Sequence, residues 1–201
     1  MSKLLDCLPT VRPELESLYS SPGRHYHNLD HIHKCLELLA DVREQCDDPD
    51  AMEIAIWFHD CIYDPTRRDN EEASADVAAR LLGECGISPD QIERVRELIL
   101  ATKHAVQPAD PDSQLLVDID LAILGSAPGT FDDYEGGIRL EYAHVPDDAF
   151  AKGRAQILEM FLARPRIFLT EYFGQRFESA ARQNLARSIS RLRAAGCDRT
   201  P

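Results

Sequence analysis

The sequence predicts an all-α fold. Apolar residues recur three and four positions apart along most of the chain. Capping signals precede several of these stripes, and no segment alternates at the two-residue period of a strand. Asn28 is placed to cap the first clear helix, whose stripe is Ile32, Cys35, Leu36 and Leu39. Asp50 is placed to cap a second, with Ile54, Trp57, Phe58 and Cys61 at the same offsets. A loop through Asp64-Pro65 follows, since proline cannot continue the helix before it. Asp69 or Asn70 opens a third helix through Ala73, Val77 and Leu81, closed by Gly83. Ser88-Pro89-Asp90-Gln91 is a capping box with proline at the first helical position. Its helix runs through Ile92, Val95, Leu98 and Ile99 toward His104.

A loop from Pro108 to Ser113 leads into another apolar helix, Leu115 to Leu124, stopped at Gly125. Ala127-Pro128-Gly129 reads as a turn. Phe131 to Tyr142 and Asp147 to Leu162 read as helices split by Pro146. The last helix extends from about Thr170 to Ala195, with Phe173, Phe177, Ala180, Ala181, Leu185, Ile189 and Leu192 as its stripe. Trp57 and the Phe173/Phe177 pair read as core packing.

The 201 residues carry 22 Lys+Arg against 35 Asp+Glu, a formal charge of −13, with 44% apolar and 28% charged types. That composition is globular, and a chain of this length buries about 70% of its unfolded surface without a staple. The acidic balance argues against a nucleic-acid polymer as partner, because phosphate backbones need a basic face. No stretch approaches the roughly 20 apolar residues of a membrane span, and Met1 to Thr10 lacks the pattern of a secretory signal. The six cysteines (Cys7, Cys35, Cys46, Cys61, Cys85 and Cys197) form no CxxC pair. They read as reduced, mostly buried residues of a cytoplasmic protein.

Four separated stretches carry metal-ligand types: Arg24 to His31, Trp57-Phe58-His59-Asp60, Thr102-Lys103-His104 and Asp118-Ile119-Asp120-Leu121. His31 borders the apolar stripe of its helix and can point inward. His59 and Asp60 end a helix that is apolar on its inner side. Asp120 lies in an apolar run, where a carboxylate needs a cation or several donors to offset desolvation. Two imidazoles and two carboxylates make a mixed N/O site suited to Mn, Fe, Co, Ni, Zn or Mg. Each residue alone has a plainer reading: a hydrogen-bonded core histidine, a helix-ending Asp60, or an Asp120 paired with an arginine. His33 lies about 200° around the helix from His31 and reads as surface. His25 and His144 read as exposed.

The order His31, His59-Asp60, Asp120 on successive helices resembles the HD superfamily of metal-dependent phosphohydrolases. Asp-Ile-Asp-Leu-Ala resembles that family's final segment and favours Asp120 over Asp118 as ligand. The chain is further similar to a bacterial subgroup of predicted HD phosphohydrolases through Arg24 to Asn28, Trp57 to Asp64, Asn70 to Ala75, Asp118 to Gly125, Ile138 to Tyr142 and Gly153-Arg154. A stretch around Ala181 to Leu185 is also similar. The resemblance implies one helical HD-like domain over 1–201. Its metal-site core would span about 24–125, with helices of about 131–195 packed on it, in about eight or nine helices. It implies a divalent metal held by His31, His59, Asp60 and Asp120, and a water activated for attack on a small phosphate ester or nucleotide. Asp60, His104 and Glu71 are the candidates for acid–base work. Arg24, His27, Lys103, Arg139 and Arg154 are candidates for substrate contact. Ion pairs with Glu141 or Asp147 are equally open to Arg139 and Arg154, and a macrodipole role to His104. The alternatives are an HD-fold di-iron oxygenase and a non-catalytic nucleotide- or protein-binding helical module. The expected partner is a small phosphorylated substrate, with a homodimer left open.

Overall fold

The expectation of an all-helical chain is met. In a computed structural model that describes residues 3–197, regular structure comprises nine α-helices and two 3-10 segments, with no strand among the described residues. The chain divides into two compact units, residues 1–120 and 121–201.

The first unit holds α1 (Lys3–Tyr19), α2 (Leu29–Val42), a 3-10 turn (Arg43–Gln45), α3 (Pro49–Phe58), α4 (Asn70–Glu84), α5 (Pro89–Ala101) and α6 (Pro111–Leu121) as far as residue 120. Its centre is α3. Ala51, Met52, Ile54, Ala55, Ile56, Trp57 and Phe58 are all buried, so the helix is apolar on nearly every side. Such a helix has no face to give to water and must be surrounded. α1, α2, α4 and α5 pack on it. Whatever follows its last turn therefore emerges inside the unit rather than on its surface, and that residue is His59.

Several boundaries differ from expectation for local reasons. α1 carries Pro9 and Pro13 in its interior, the usual signal against a helix. Both prolines face outward, while Leu4, Cys7, Leu8, Val11, Leu15 and Tyr19 form the buried stripe. α3 is capped by Asp48, which accepts from the Ala51 amide at 2.9 Å, and not by Asp50. Pro49 then takes the first helical position, and Asp50 pairs with Arg43 at 2.5 Å. α4 passes through Gly83 to Glu84, and Gly86 at φ 69° supplies the left-handed residue beyond it. α6 starts at Pro111, ahead of its apolar run, because proline fits a first turn. It ends at Leu121, and Ala122–Gly125 continues as a 3-10 segment. Pro128, expected in a turn, begins α7.

The cysteine expectation needs correction. Cys7 and Cys85 form a disulfide. Cys35 and Cys61 are buried free thiols and Cys46 is half-buried, while the side chain of Cys197 lies outside the described residues. Burial pushes the Cys61 thiol up to about 12 and that of Cys46 to about 11, so neither is poised as a thiolate. A disulfide removes the cysteine argument for a reducing compartment. No helix among the described residues is long and apolar enough to cross a membrane.

The second unit contains the 3-10 segment, α7 (Pro128–Glu141), α8 (Asp147–Leu162) and α9 (Glu171–Cys197). Phe168, Phe173 and Phe177 cluster with ring centroids 5.7 to 6.4 Å apart. The buried Asn184 donates to the Leu124 and Ser126 carbonyls, each at 2.9 Å, and so seats the 3-10 segment on α9.

Candidate metal centre

Three helices of the first unit deliver four side chains to one place. Asn28 caps α2 and accepts from the amides of Asp30 at 2.9 Å and His31 at 3.4 Å, fixing the first turn from which His31 projects. His31 is buried. His59 caps the C-terminal end of α3 and is 2% exposed. Asp60 follows in the turn, and Asp120 sits in the last turn of α6 beyond the buried Leu115, Leu116, Val117 and Ile119.

One atom from each residue faces the others, and the four lie within 4.8 Å of one another. The two Nε2 atoms of His31 and His59 are 3.2 Å apart. His31 Nε2 lies 3.3 Å from Asp120 Oδ1 and 3.6 Å from Asp60 Oδ2. His59 Nε2 lies 3.2 Å from Asp60 Oδ2 and 3.7 Å from Asp120 Oδ1. Donors bonded at about 2.0–2.2 Å to one cation are separated by roughly 2.8–3.6 Å along the edges of an octahedron or tetrahedron. The observed edges are close to that range.

The donor chemistry agrees with the spacing. His59 Nδ1 is 2.9 Å from the Ile56 carbonyl, which accepts only from a protonated Nδ1. In the neutral ring that places the lone pair on Nε2, aimed at the cluster. With neutral imidazoles the four groups carry two negative charges in a largely buried site, a charge that a dication neutralises. The donors fit a divalent cation with N/O preference.

Without a cation the same groups exchange protons. Burial opposes a charge on His59, but the Asp60 carboxylate and hydrogen bonds to Asp120 and Asp60 outweigh it, raising its pKa well above the ordinary imidazole value. Burial likewise opposes charge on Asp60, yet His59 and His27 hold it well below the usual carboxylate range. Asp120 is held down in the same way by hydrogen bonds from His104, His31 and His59. A cation must therefore displace a proton from His59. Affinity for Mn²⁺ is expected to fall as pH drops through neutrality, by up to about tenfold per pH unit for one proton displaced. Dialysis at several pH values measures this, and a flat profile across neutrality would contradict the ligand role of His59.

Other sequence candidates take definite places. His104 Nε2 is 3.0 Å from Asp120 Oδ2, the oxygen turned away from the two imidazoles. An ionised carboxylate only accepts, so His104 donates from Nε2 and holds Asp120 with Oδ1 inward. His104 does this at φ 54°, a left-handed conformation that costs a non-glycine residue about 1 kcal/mol or more. His27 stacks on Tyr63 at 3.8 Å between ring centroids and acts electrostatically on Asp60. Lys103 bonds Glu72 and the Arg68 carbonyl, and Glu71 lies half-buried in the first turn of α4, within electrostatic reach of Lys103. Asp118 is fully buried but is not one of the four convergent donors. His25, His33 and His144 are exposed, as expected.

Arg24 has a role that its sequence neighbourhood did not reveal. Its Nη1 donates to the carbonyls of His27 at 2.9 Å and Asp60 at 2.7 Å, and its Nη2 to that of Cys61 at 2.7 Å. The guanidinium is thus turned toward the main chain and pins the ligand-bearing turn. Arg24→Ala is expected to cost about 2–3 kcal/mol by leaving these carbonyls unpaired, and to weaken Mn²⁺ binding about tenfold. Arg24→Lys recovers only part, because an ammonium cannot reproduce the fork. Denaturant melts and Mn²⁺ titrations check both. In the second unit, Arg139 bonds the Tyr142 and Val145 carbonyls and Asp147. Arg154, 9% exposed, is engaged by Glu135 and Tyr134. Asp147 is thus the partner of Arg139, while Arg154 uses Glu135 rather than Glu141 or Asp147.

Comparison with family models, curated proteins and solved structures finds no match to this chain.

Proposed function

We propose that the protein is a divalent-metal-dependent phosphohydrolase acting on a small phosphate ester or nucleotide. The observation that carries this reading is the convergence of His31, His59, Asp60 and Asp120, in the order expected from the resemblance to the HD superfamily. A divalent cation bound there would lower the pKa of a coordinated water toward neutrality and polarise a phosphoryl oxygen.

The chain's own residues supply the rest. Ile56 O fixes the tautomer of His59, and Asn28 fixes the turn that presents His31. His104 keeps Asp120 turned inward. Both carboxylates lie beside the two imidazoles and border solvent, but the second oxygen of Asp120 is held by His104, so Asp60 is the one suited to orient an attacking water. His27, which acts electrostatically on Asp60, and Lys103, the neighbour of His104, would meet a phosphate, Lys103 after exchange of its Glu72 partner. The test is a screen of mononucleotides, sugar phosphates and cyclic nucleotides with Mn²⁺, Mg²⁺, Zn²⁺, Co²⁺, Ni²⁺ and Fe²⁺. Release of phosphate that is abolished by chelation and restored by metal supports the reading. Tight metal binding without turnover on any phosphate ester removes it in favour of a non-catalytic binding module.

One observation favours a second reading, the di-iron oxygenase. His104 adds a third imidazole beside Asp120, the start of a second cation position. Metal analysis separates the two: two irons per chain with a charge-transfer band favour the oxygenase.

A further inference from the structure

Two helices of the first unit are fastened at one end and hold the ligand turn at the other. At the fastened end, Cys7 of α1 is joined to Cys85, just after α4, with Cα atoms 5.9 Å apart. Lys3 Nζ donates to the Gly86 carbonyl and Arg80 to Glu14 at 2.6 Å. Both polar links are solvent-exposed and weak, so of these three links between α1 and the end of α4 the disulfide is the strong one. At the opposite end of α1, Tyr19 donates its hydroxyl to the Trp57 carbonyl at 3.1 Å. Arg24, five residues further on, grips the carbonyls of Asp60 and Cys61. Near the start of α4, Ser74 Oγ bonds the Ile62 amide at 3.1 Å and its carbonyl at 3.2 Å. Every main-chain anchor just named, on residues 57 to 62, comes from α1, its extension or α4, and these residues include His59 and Asp60.

We propose that the Cys7–Cys85 disulfide is a redox clamp on the four-donor site. Closed, it holds α1 against α4 and so fixes the turn that presents His59 and Asp60. Opened, it removes the covalent tie between α1 and the end of α4, leaves α1 held by its packing on α3, and weakens cation binding. The proposal rests on the cluster's being a cation site and is independent of the reaction performed there. A bridge across a sequence separation of 78 restrains a long stretch of chain, including both residues of that turn and His31.

The bridge is reachable. It lines a cavity of about 450 Å³ together with Lys3, Asp6, Thr10, Glu14 and Glu84. Cys7 is 4% exposed, whereas Cys85 is half-buried, so Cys85 is the more accessible residue of the bridge and the one we take as the point of attack. The thiolate of a dithiol reductant bonds to Cys85 Sγ, the S–S bond breaks, and Cys7 leaves as a thiolate that takes up a proton. The second thiol of the reductant then displaces Cys85 from the mixed disulfide. In total the protein gains two electrons and two protons, and the dithiol becomes its own disulfide.

The test compares the oxidised protein, the protein reduced and then desalted without air, and the C7A/C85A double variant. Thiol titration under denaturing conditions counts the bridge, and equilibrium dialysis against Mn²⁺ reads the site. The reduced protein and the double variant are expected to bind Mn²⁺ about tenfold more weakly than the oxidised protein. They are also expected to melt roughly 10 °C lower with unchanged far-ultraviolet dichroism, and reoxidation of the reduced protein restores both. The chemically reduced wild type carries the comparison if the double variant does not fold. Lower melting with unchanged Mn²⁺ affinity overturns the clamp and leaves a simple staple. All cysteines titrating as thiols in air-purified protein also overturns it. Absence of Mn²⁺ binding in every form overturns the cation site itself, an outcome distinct from equal binding in all forms.

Discussion

His59→Ala is expected to abolish divalent-cation binding, lowering Mn²⁺ affinity by more than about 100-fold, and to remove any metal-dependent hydrolysis with it. His59 has the shortest mutual distances in the cluster, 3.2 Å to both His31 Nε2 and Asp60 Oδ2. Its Nε2 is the one donor whose tautomer the fold fixes directly, through Ile56 O. Alanine leaves a cavity at the end of the central helix and two carboxylates facing one imidazole. The cation-free variant should therefore also lose about 2–3 kcal/mol. The helices remain, because α3 is held by its own apolar burial. Equilibrium dialysis, far-ultraviolet dichroism and a phosphate-release assay with added Mn²⁺ measure the three effects. Asp60→Asn, which keeps the volume, serves as the companion. A variant at either position with wild-type Mn²⁺ affinity would show that the four atoms meet without forming a site.

Gly125→Ala is expected to destabilise the second unit by about 3 kcal/mol or more, a large fraction of the stability of an ordinary domain. A Cβ at this position would lie 2.5 Å from Phe177 Cβ, 2.7 Å from its carbonyl oxygen and 2.9 Å from its Cα. Two of those atoms are helix backbone, which cannot move aside as the tip of a side chain can. The segment cannot retreat either, since Asn184 bonds the carbonyls of Leu124 and Ser126 on both sides of the glycine. Asn184→Ala in the same background is expected to recover part of the loss by letting the segment lift. Thermal melts of the three proteins test this, and a melt for Gly125→Ala within error of wild type would refute the close approach.

The helical class was legible because most elements carry a complete local signal. Ser88-Pro89 opens α5 and Asn28 caps α2 as their types require, and an all-apolar α3 announces its own burial. α1 was not legible, because two interior prolines outweighed its stripe in any local reading. Both prolines face outward and leave the buried stripe of Leu4, Leu8, Val11 and Leu15 unbroken. The four convergent donors were legible as a set through their order and its resemblance to the HD pattern, which favoured Asp120 over Asp118 in the same apolar run. The part played by Arg24 was not. An arginine near histidines looks the same in sequence whether it points at a ligand or at the main chain of residues 60 and 61. No spacing rule flagged the bridge between Cys7 and Cys85, which lie 78 positions apart.

The sequence alone determined most of the elements, α1 excepted, and the chemical types available. Periodicity, caps and donor identities are properties of short stretches, expressed wherever the chain goes. Tertiary packing alone decided which of those types share a volume. It brought Asp120 Oδ1 to 3.3 Å from His31 across 89 positions, turned Arg24 to the main chain and joined two cysteines. The reason is that donor geometry at a site depends on distances of a few ångströms between separate helices. Those distances follow from how α2, the end of α3 and α6 are brought together, and no single stretch of chain encodes them.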